Sequence, residues 1–156
     1  MAKLFLICGF LGACKTTFSK KLAYETNAEY MNVDEYVMQN FTKQEYENNW
    51  EYCFTKAEEL MWQKIYKCTQ NNQNVVFDVG FWTRQSRDKA RNRVLKIGIT
   101  PVLYYIYAPD EILKQRIATR SGSIAENNIK NFERSYRSCC NAWFIAKLPQ
   151  SIFIGI

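Results

Sequence analysis

The chain contains no histidine, so the side chain that enzymes use most often as a general base is absent. Any proton transfer must therefore use a carboxylate. The six cysteines show no CxxC spacing, and without histidine they match no common zinc site. We expect reduced thiols and a cytoplasmic location.

Long apolar runs are also lacking. No stretch approaches the roughly 20 apolar residues that a membrane-spanning helix needs, so we expect no membrane association. An apolar strand begins at Leu4 and leads almost at once into a glycine-bearing loop, so we expect no signal peptide before the fold. No linker, repeat or low-complexity segment divides the 156 residues, which suit one domain over 1–156. The oligomeric state is not predicted by any of these features.

Charge favours an anionic partner. Lysine and arginine number 21 against 15 acidic residues, a formal net charge of +6. The phosphates of a nucleotide satisfy this expectation. Nucleic acid is the weaker alternative, because the basic residues form no dense run.

The most informative segment is a loop that lies between a predicted strand at 4–8 and a predicted helix at 18–23. It consists of Gly9, Phe10, Leu11, Gly12, Ala13, Cys14, Lys15, Thr16 and Thr17. Strand, glycine-bearing turn and Lys-Thr at a helix start are the context of a phosphate-binding P-loop. Backbone N–H groups and the helix N-terminus would bind phosphate, Lys15 would hold the terminal phosphates, and Thr16 would ligate Mg²⁺.

Cys14 is the one departure from this motif, since glycine is normal at its position. Glycine is favoured there because the backbone passes close to the phosphates and a Cβ competes for the space. One interpretation is a substituted position with no role of its own. The other is a reactive thiol beside Lys15 that weakens or abolishes nucleotide turnover.

Strand and helix patterns alternate along the rest of the chain. Strands are predicted at 29–33, 75–77, 101–107 and 151–156, and helices at 43–68, 84–96, 109–120 and 125–146. This order predicts an α/β fold, a three-layer α/β/α sandwich with a parallel five-stranded sheet. Ligands of such folds bind beyond the carboxyl ends of the strands, where Asp34, Asp78 and the P-loop all fall.

Three segments together carry a family resemblance: the P-loop, Asn32-Val33-Asp34-Glu35, and the stretch from Asp78 to Asp88 that reads DVGFWTRQSRD. They resemble the ATP-dependent kinases of the P-loop AAA-type group, which are similar to chloramphenicol phosphotransferase, zeta toxins and the kinase domain of bacteriophage polynucleotide kinase. The resemblance covers about residues 3–120. It implies an adenylate-kinase-like P-loop fold that uses ATP and Mg²⁺ to phosphorylate a hydroxyl of a small-molecule acceptor.

The same resemblance implies roles for two carboxylates. Asp34 matches the group that accepts the proton of the acceptor hydroxyl and so contacts the substrate. Its alternative is to cap the helix that follows. Asp78 ends a β-branched run and would hold Mg²⁺ through water beside the substrate. Its alternative is to cap the Gly80 turn.

Arginines complete the predicted site. Arg84 and Arg87 lie three apart on a predicted helix, so both can face one anionic group of the substrate, the alternative being a solvated face. Arg116 and Arg120 precede Ser121-Gly122-Ser123 and correspond to a lid around 116–128, whose arginines would neutralise charge on the transferred phosphoryl group. The alternative for this pair is simple complementation of the helix dipole.

Three functions follow from these residues. The first is an ATP-dependent kinase acting on a small-molecule hydroxyl. The second is a catalytically impaired P-loop nucleotide-binding module, which Cys14 favours. The third is a 5′-hydroxyl nucleic-acid kinase. The region after about residue 134 departs from the family pattern, and the sequence does not predict its role.

Overall fold

The computed structural model of the chain describes residues 1–81, 83–119 and 151–155. A five-stranded sheet has the order β2-β3-β1-β4-β5, and each neighbouring pair is parallel. Its strands are β1 (Leu4–Gly9), β2 (Glu29–Asn32), β3 (Val75–Gly80), β4 (Pro101–Tyr107) and β5 (Ser151–Gly155). The helices described are α1 (Lys15–Glu25), α2 (Val33–Asn40), α3 (Lys43–Asn48), α4 (Trp50–Gln70), α5 (Arg84–Leu95) and α6 (Asp110–Ala118).

Alternate side chains of β1 enter two separate cores, because successive residues of a strand point to opposite faces of the sheet. Leu4 and Leu6 belong to the core that includes apolar residues of α4 and α5. Phe5 and Ile7 belong to the core that includes residues of α1 and α6. Helices therefore cover both faces, and the predicted three-layer α/β/α fold with a parallel five-stranded sheet is confirmed.

Two helix boundaries differ from the prediction, and polar caps explain both. The predicted helix over 43–68 is divided, since α3 ends at Asn48 and α4 starts anew after Asn49, whose side chain accepts a hydrogen bond from the Tyr52 amide at 3.2 Å. The strand predicted over 29–33 ends at Asn32. This residue, rather than Asp34, caps α2 by accepting from the Glu35 amide at 2.8 Å, and α2 is a separate helix before the predicted start at residue 43. Asparagine at an N-cap stabilises a helix start by satisfying such an amide.

Several predictions concern residues that the structure does not describe. The predicted helix at 125–146 and the lid beyond Thr119 lie outside the described residues, as do Trp82 and Arg120. Among the residues described, no helix is both long enough and apolar enough to cross a membrane. Within the described ranges, no disulfide joins Cys8, Cys14, Cys53 or Cys68 to another cysteine.

Candidate active site

The predicted P-loop connects β1 to α1, and its glycines pack closely against backbone atoms of β4 and α6. A Cβ on Gly9 would overlap the carbonyl group of Ile106 on β4. A Cβ on Gly12 would lie 3.1 Å from the carbonyl oxygen of Leu113 on α6, and Gly12 has a φ of 82°. The loop therefore needs glycine at both positions, and neighbouring elements of the sheet and helix layer fix its course.

Cys14 occupies the N-cap of α1 in a left-handed conformation, with φ 58° and ψ 30°. Its thiol turns back toward the Gly12 carbonyl oxygen, at 3.8 Å, and makes no capping hydrogen bond to the helix. A left-handed backbone is a second reason for glycine at this position, beyond the approach of phosphates. The first turn of α1 contains no acidic residue, so the positive end of the helix suits an anion.

Two cations contact carbonyl oxygens of the loop. Lys15 Nζ donates to the Phe10 carbonyl at 3.0 Å. Arg116, on the last turn of α6, donates from Nη1 to the Gly12 carbonyl at 3.2 Å. The structure thus brings Arg116 to the P-loop from a distant part of the sequence.

Asp78 lies at the carboxyl edge of the sheet, directly opposite Asn32 in the β2–β3 register. Its side chain is buried, at 2 % exposure, and its Oδ2 atom has no hydrogen-bond partner among the described residues. Burial raises the pKa of the Asp78 carboxyl, while Lys15 and the nearby polar groups of Asn32, Thr16 and Ser19 oppose that rise. A β-bulge falls between its register position and Gly80, as bulges next to functional sites often do.

Asp34 lies in the first turn of α2 and is exposed to solvent. The protein around its carboxyl group still removes part of its hydration and so raises its pKa; Lys15 opposes the rise, and Asp78 and Glu35 add to it. The shared influence of Lys15 shows that Asp34 and Asp78 belong to one electrostatic cluster at the P-loop. The predicted meeting of these groups at the carboxyl edge therefore agrees with the structure.

Other residues cap the two helices that follow β2 and β3. Asn32 caps α2, and Thr83 caps α5 by accepting from the Ser86 amide at 3.1 Å. Glu35 forms an ion pair with Lys20 at 2.8 Å, which ties α2 to α1. Asp34 is therefore not the N-cap of α2.

The donor set fits a magnesium ion. Thr16 offers a hydroxyl, and the neighbouring Asp78 offers a carboxylate. Mg²⁺ prefers oxygen ligands and keeps several waters, so one or two protein ligands plus substrate phosphates suffice. Within the described part of the chain, no group of three or more His, Cys, Asp or Glu side chains forms a cage for a metal.

Arg84 and Arg87 have different environments, which departs from the prediction that both face one anion. Arg87 is 5 % exposed and donates from Nη1 to the Phe81 carbonyl at 3.0 Å. It lies on the same buried stripe of α5 as Ala90 and Val94. The Arg84 side chain is 71 % exposed and lies 3.6 Å from Asp88. The helix spacing was right, but the stripe that holds Arg87 faces the core.

Sequence reasoning missed three polar side chains beneath the P-loop. Ser19 is fully buried on α1, and Tyr30 and Asn32 follow each other on one face of β2. The sequence did contain a signal for them, because these polar residues occupy positions that helix and strand periodicity assign to the interior. By contrast, a surface groove of about 580 Å³ at the opposite edge of the sheet, near Met1, Tyr66 and Gly98, includes none of the predicted site residues.

Residues 4–138 match the model of a family described as an AAA domain. The chain belongs to this AAA domain family. A comparison with curated proteins finds no match.

Solved structures share the fold of this AAA domain. A sugar kinase from Janibacter sp. HTCC2649 aligns with a TM-score of 0.65 and 14 % identity over 99 % of this chain and 86 % of that one. A gluconokinase from Sinorhizobium meliloti 1021 gives 0.62 and 11 %, over 99 % and 82 %. A shikimate kinase from Bacteroides thetaiotaomicron gives 0.61 and 15 %, over 98 % and 86 %. The AAA domain described here therefore has the fold of P-loop kinases.

Proposed function

We propose that the chain is an ATP-dependent phosphotransferase that moves the γ-phosphate of ATP to a hydroxyl of a small-molecule acceptor. One observation carries the proposal. Lys15, Asp34 and Asp78 form one electrostatic cluster at the carboxyl edge of the sheet, and Arg116 reaches the P-loop beside it. Phosphoryl transfer depends mainly on positioning and on charge stabilisation, and this cluster supplies groups for both.

Each group has a distinct role in the proposed reaction. Lys15 exchanges the Phe10 carbonyl for the terminal phosphates, with the loop amides of residues 9–17 binding beside it. Asp34 orients the acceptor hydroxyl and takes its proton, and the raised pKa of this carboxyl makes it the better base. Arg116 neutralises charge on the transferred group, which is also the role proposed for Arg120. Thr16 and Asp78 would hold Mg²⁺, which neutralises phosphate charge when bound.

The acceptor class is proposed from the fold and the solved structures. Those structures are named as kinases of a sugar, of gluconate and of shikimate, and their fold is shared along nearly the whole chain. Exposed Arg84 near the start of α5 is the proposed contact for an anionic group of the acceptor. ATP and reduced thiols are both typical of the cytoplasm, where we place the reaction.

A second candidate rests on one specific observation. Cys14 adopts a left-handed backbone conformation in the loop and carries its side chain where glycine would leave room for phosphate. A chain that binds nucleotide but does not transfer phosphate would then act as a regulatory or interaction module.

Radiolabelled ATP and Mg²⁺, incubated with a panel of hydroxyl compounds, test the proposal. The panel includes neutral sugars, sugar acids, hydroxylated ring acids and a 5′-hydroxyl oligonucleotide. We expect a labelled small-molecule product, with Asp34→Asn as a matched inactive control that still binds ATP in calorimetry. Binding without any product would favour the second candidate, and a labelled oligonucleotide alone would identify a nucleic-acid kinase.

A further inference from the structure

Three buried polar atoms between α1 and the sheet have no hydrogen-bond partner in the part of the chain that the structure describes. They are Ser19 Oγ, Tyr30 Oη and Asp78 Oδ2. Ser19 is fully buried and Asp78 is 2 % exposed. Buried polar atoms in folded proteins are almost always hydrogen-bonded, so three together in one layer need an explanation.

Strand register and helix spacing place the three groups close together. Tyr30 pairs with Val76, and Asn32, two residues along on the same face of β2, pairs with Asp78. Ser19 follows Thr16 by one helical turn and faces the sheet from α1. The three side chains therefore lie in the layer where α1 packs on β2 and β3, and Thr16 is near both Tyr30 and Asp78.

Electrostatics support the same convergence. Burial raises the pKa of the Tyr30 phenol, Asp78 and Glu35 raise it further, and Asn32 and Thr16 oppose the rise. The Ser19 hydroxyl is close enough to oppose the rise in the pKa of Asp78, although it makes no direct hydrogen bond of ordinary length. Asp78 is therefore coupled electrostatically to both Tyr30 and Ser19, although none of the three buried atoms makes a direct hydrogen bond to another.

We propose that Ser19, Tyr30 and Asp78 together bind one buried water molecule, and that this water makes Tyr30 a positioning residue for the Asp78 carboxylate. The water accepts from both hydroxyls and donates to Asp78 Oδ2, which gives it three protein partners, a usual number for an internal water. The carboxylate is thereby held toward Thr16. The water site stands on the buried atoms alone, whereas the positioning role rests on the proposed function.

Unfolding experiments test the water site, because a bound water decides whether removal of a hydroxyl group lowers or raises the stability of the chain. Removing an unpartnered buried hydroxyl stabilises a protein, while removing one partner of a bridging water leaves the other partners unsatisfied. We expect Tyr30→Phe and Ser19→Ala each to lower the folding equilibrium constant about fivefold to tenfold. The double variant should lose less than the product of the two, since both remove the same bridge. Tyr24→Phe, at a side chain that is 90 % exposed, is the matched control and should change nothing.

Calorimetric titration with ATP tests the positioning role. We expect Tyr30→Phe to raise the Mg²⁺ concentration needed for half-maximal tightening of ATP binding several-fold. ATP affinity in excess chelator should stay as in the wild type, because the P-loop amides and Lys15 are untouched. A merely structural role for Tyr30 would weaken both affinities together or neither.

The possible results decide separately on the water site and on the positioning role of Tyr30. A rise in stability on Tyr30→Phe, or strictly additive losses in the double variant, overturns the water site. A loss of stability with an unchanged Mg²⁺ requirement overturns the positioning role. If the wild-type chain binds no ATP with or without Mg²⁺, the proposed function and the positioning role both fall, and the unfolding data still decide the water site.

Discussion

Replacing Cys14 by glycine should improve both the loop and its binding of ATP. The cysteine holds φ 58° and ψ 30°, in the left-handed region that disfavours a Cβ by about 1 to 2 kcal/mol. Glycine removes that strain, but its freer unfolded chain returns about 0.4 to 1 kcal/mol. The net gain in unfolding free energy is therefore about 0 to 1.6 kcal/mol, which raises the melting temperature by at most about 6 °C in a chain of this size.

The larger effect should be on nucleotide affinity. A Cβ and thiol in the loop compete with the phosphates for the inward amides, and one recovered hydrogen bond to a charged group contributes about 1.5 to 3 kcal/mol. We thus expect Cys14→Gly to bind ATP about tenfold to a hundredfold more tightly, as measured by calorimetry with Mg²⁺.

The Cys14→Ala variant separates the effect of the thiol from the effects of the Cβ and of backbone strain. It removes the sulfur near the Gly12 carbonyl but keeps the Cβ and the left-handed strain. Its stability should stay within about 0.5 kcal/mol of the wild type, and its ATP affinity should lie between those of wild type and Cys14→Gly. Equal behaviour of the two variants, or no gain in affinity for the glycine variant, would show that backbone strain and the Cβ do not limit this loop.

Three further predictions concern the carboxylates and the α5 arginines. Asp34→Asn should retain ATP affinity and lose at least about a hundredfold in transfer rate, whereas Glu35→Gln, which breaks only the exposed pair with Lys20, should transfer at a near-normal rate in the same labelled-ATP assay. Burial raises the pKa of Asp78 in the folded chain above the ordinary aspartate value of about 4. Between these two pKa values the folded chain holds a proton that the unfolded chain has lost, so the unfolding free energy falls as pH rises through this range. Asp78→Asn should accordingly unfold at a higher temperature than the wild type at pH 7, with a gain that shrinks toward pH 4; an equal gain at both values would contradict this sign. Arg87→Ala should lower the unfolding free energy by about 1 to 3 kcal/mol because the Phe81 carbonyl loses a buried donor, while Arg84→Ala should leave denaturant unfolding unchanged and raise the KM for the acceptor.

Much of the fold could be predicted from local patterns. Apolar runs such as the one at Leu4 are long enough to identify buried strands, and their alternation with helices specifies parallel pairing. Parallel pairing then puts strand ends at one edge, which is why the neighbourhood of Asp34, Asp78 and the P-loop was predictable without coordinates.

Other features depend on interactions that periodicity does not report. The break at Asn49 and the helix after Asn32 arise from single side-chain caps, which are polar residues that the helical pattern also tolerates elsewhere. Arg87 looked like a surface cation, but its guanidinium satisfies the carbonyl of Phe81, whose φ of 43° turns the chain after β3. The strain at Cys14 was equally hidden, since a sequence shows the missing glycine but not the backbone angle.

The central claim is that the loop over residues 9–17 binds a triphosphate with Cys14 in place. A crystal structure of the chain with Mg²⁺ and a non-hydrolysable ATP analogue tests it most directly. We expect the triphosphate in the loop, Lys15 Nζ moved from the Phe10 carbonyl to within about 3 Å of a phosphate oxygen, and Asp34 facing the terminal phosphate. Lys15 still bonded to Phe10, with the Cys14 thiol in the space of the phosphates, would contradict the account.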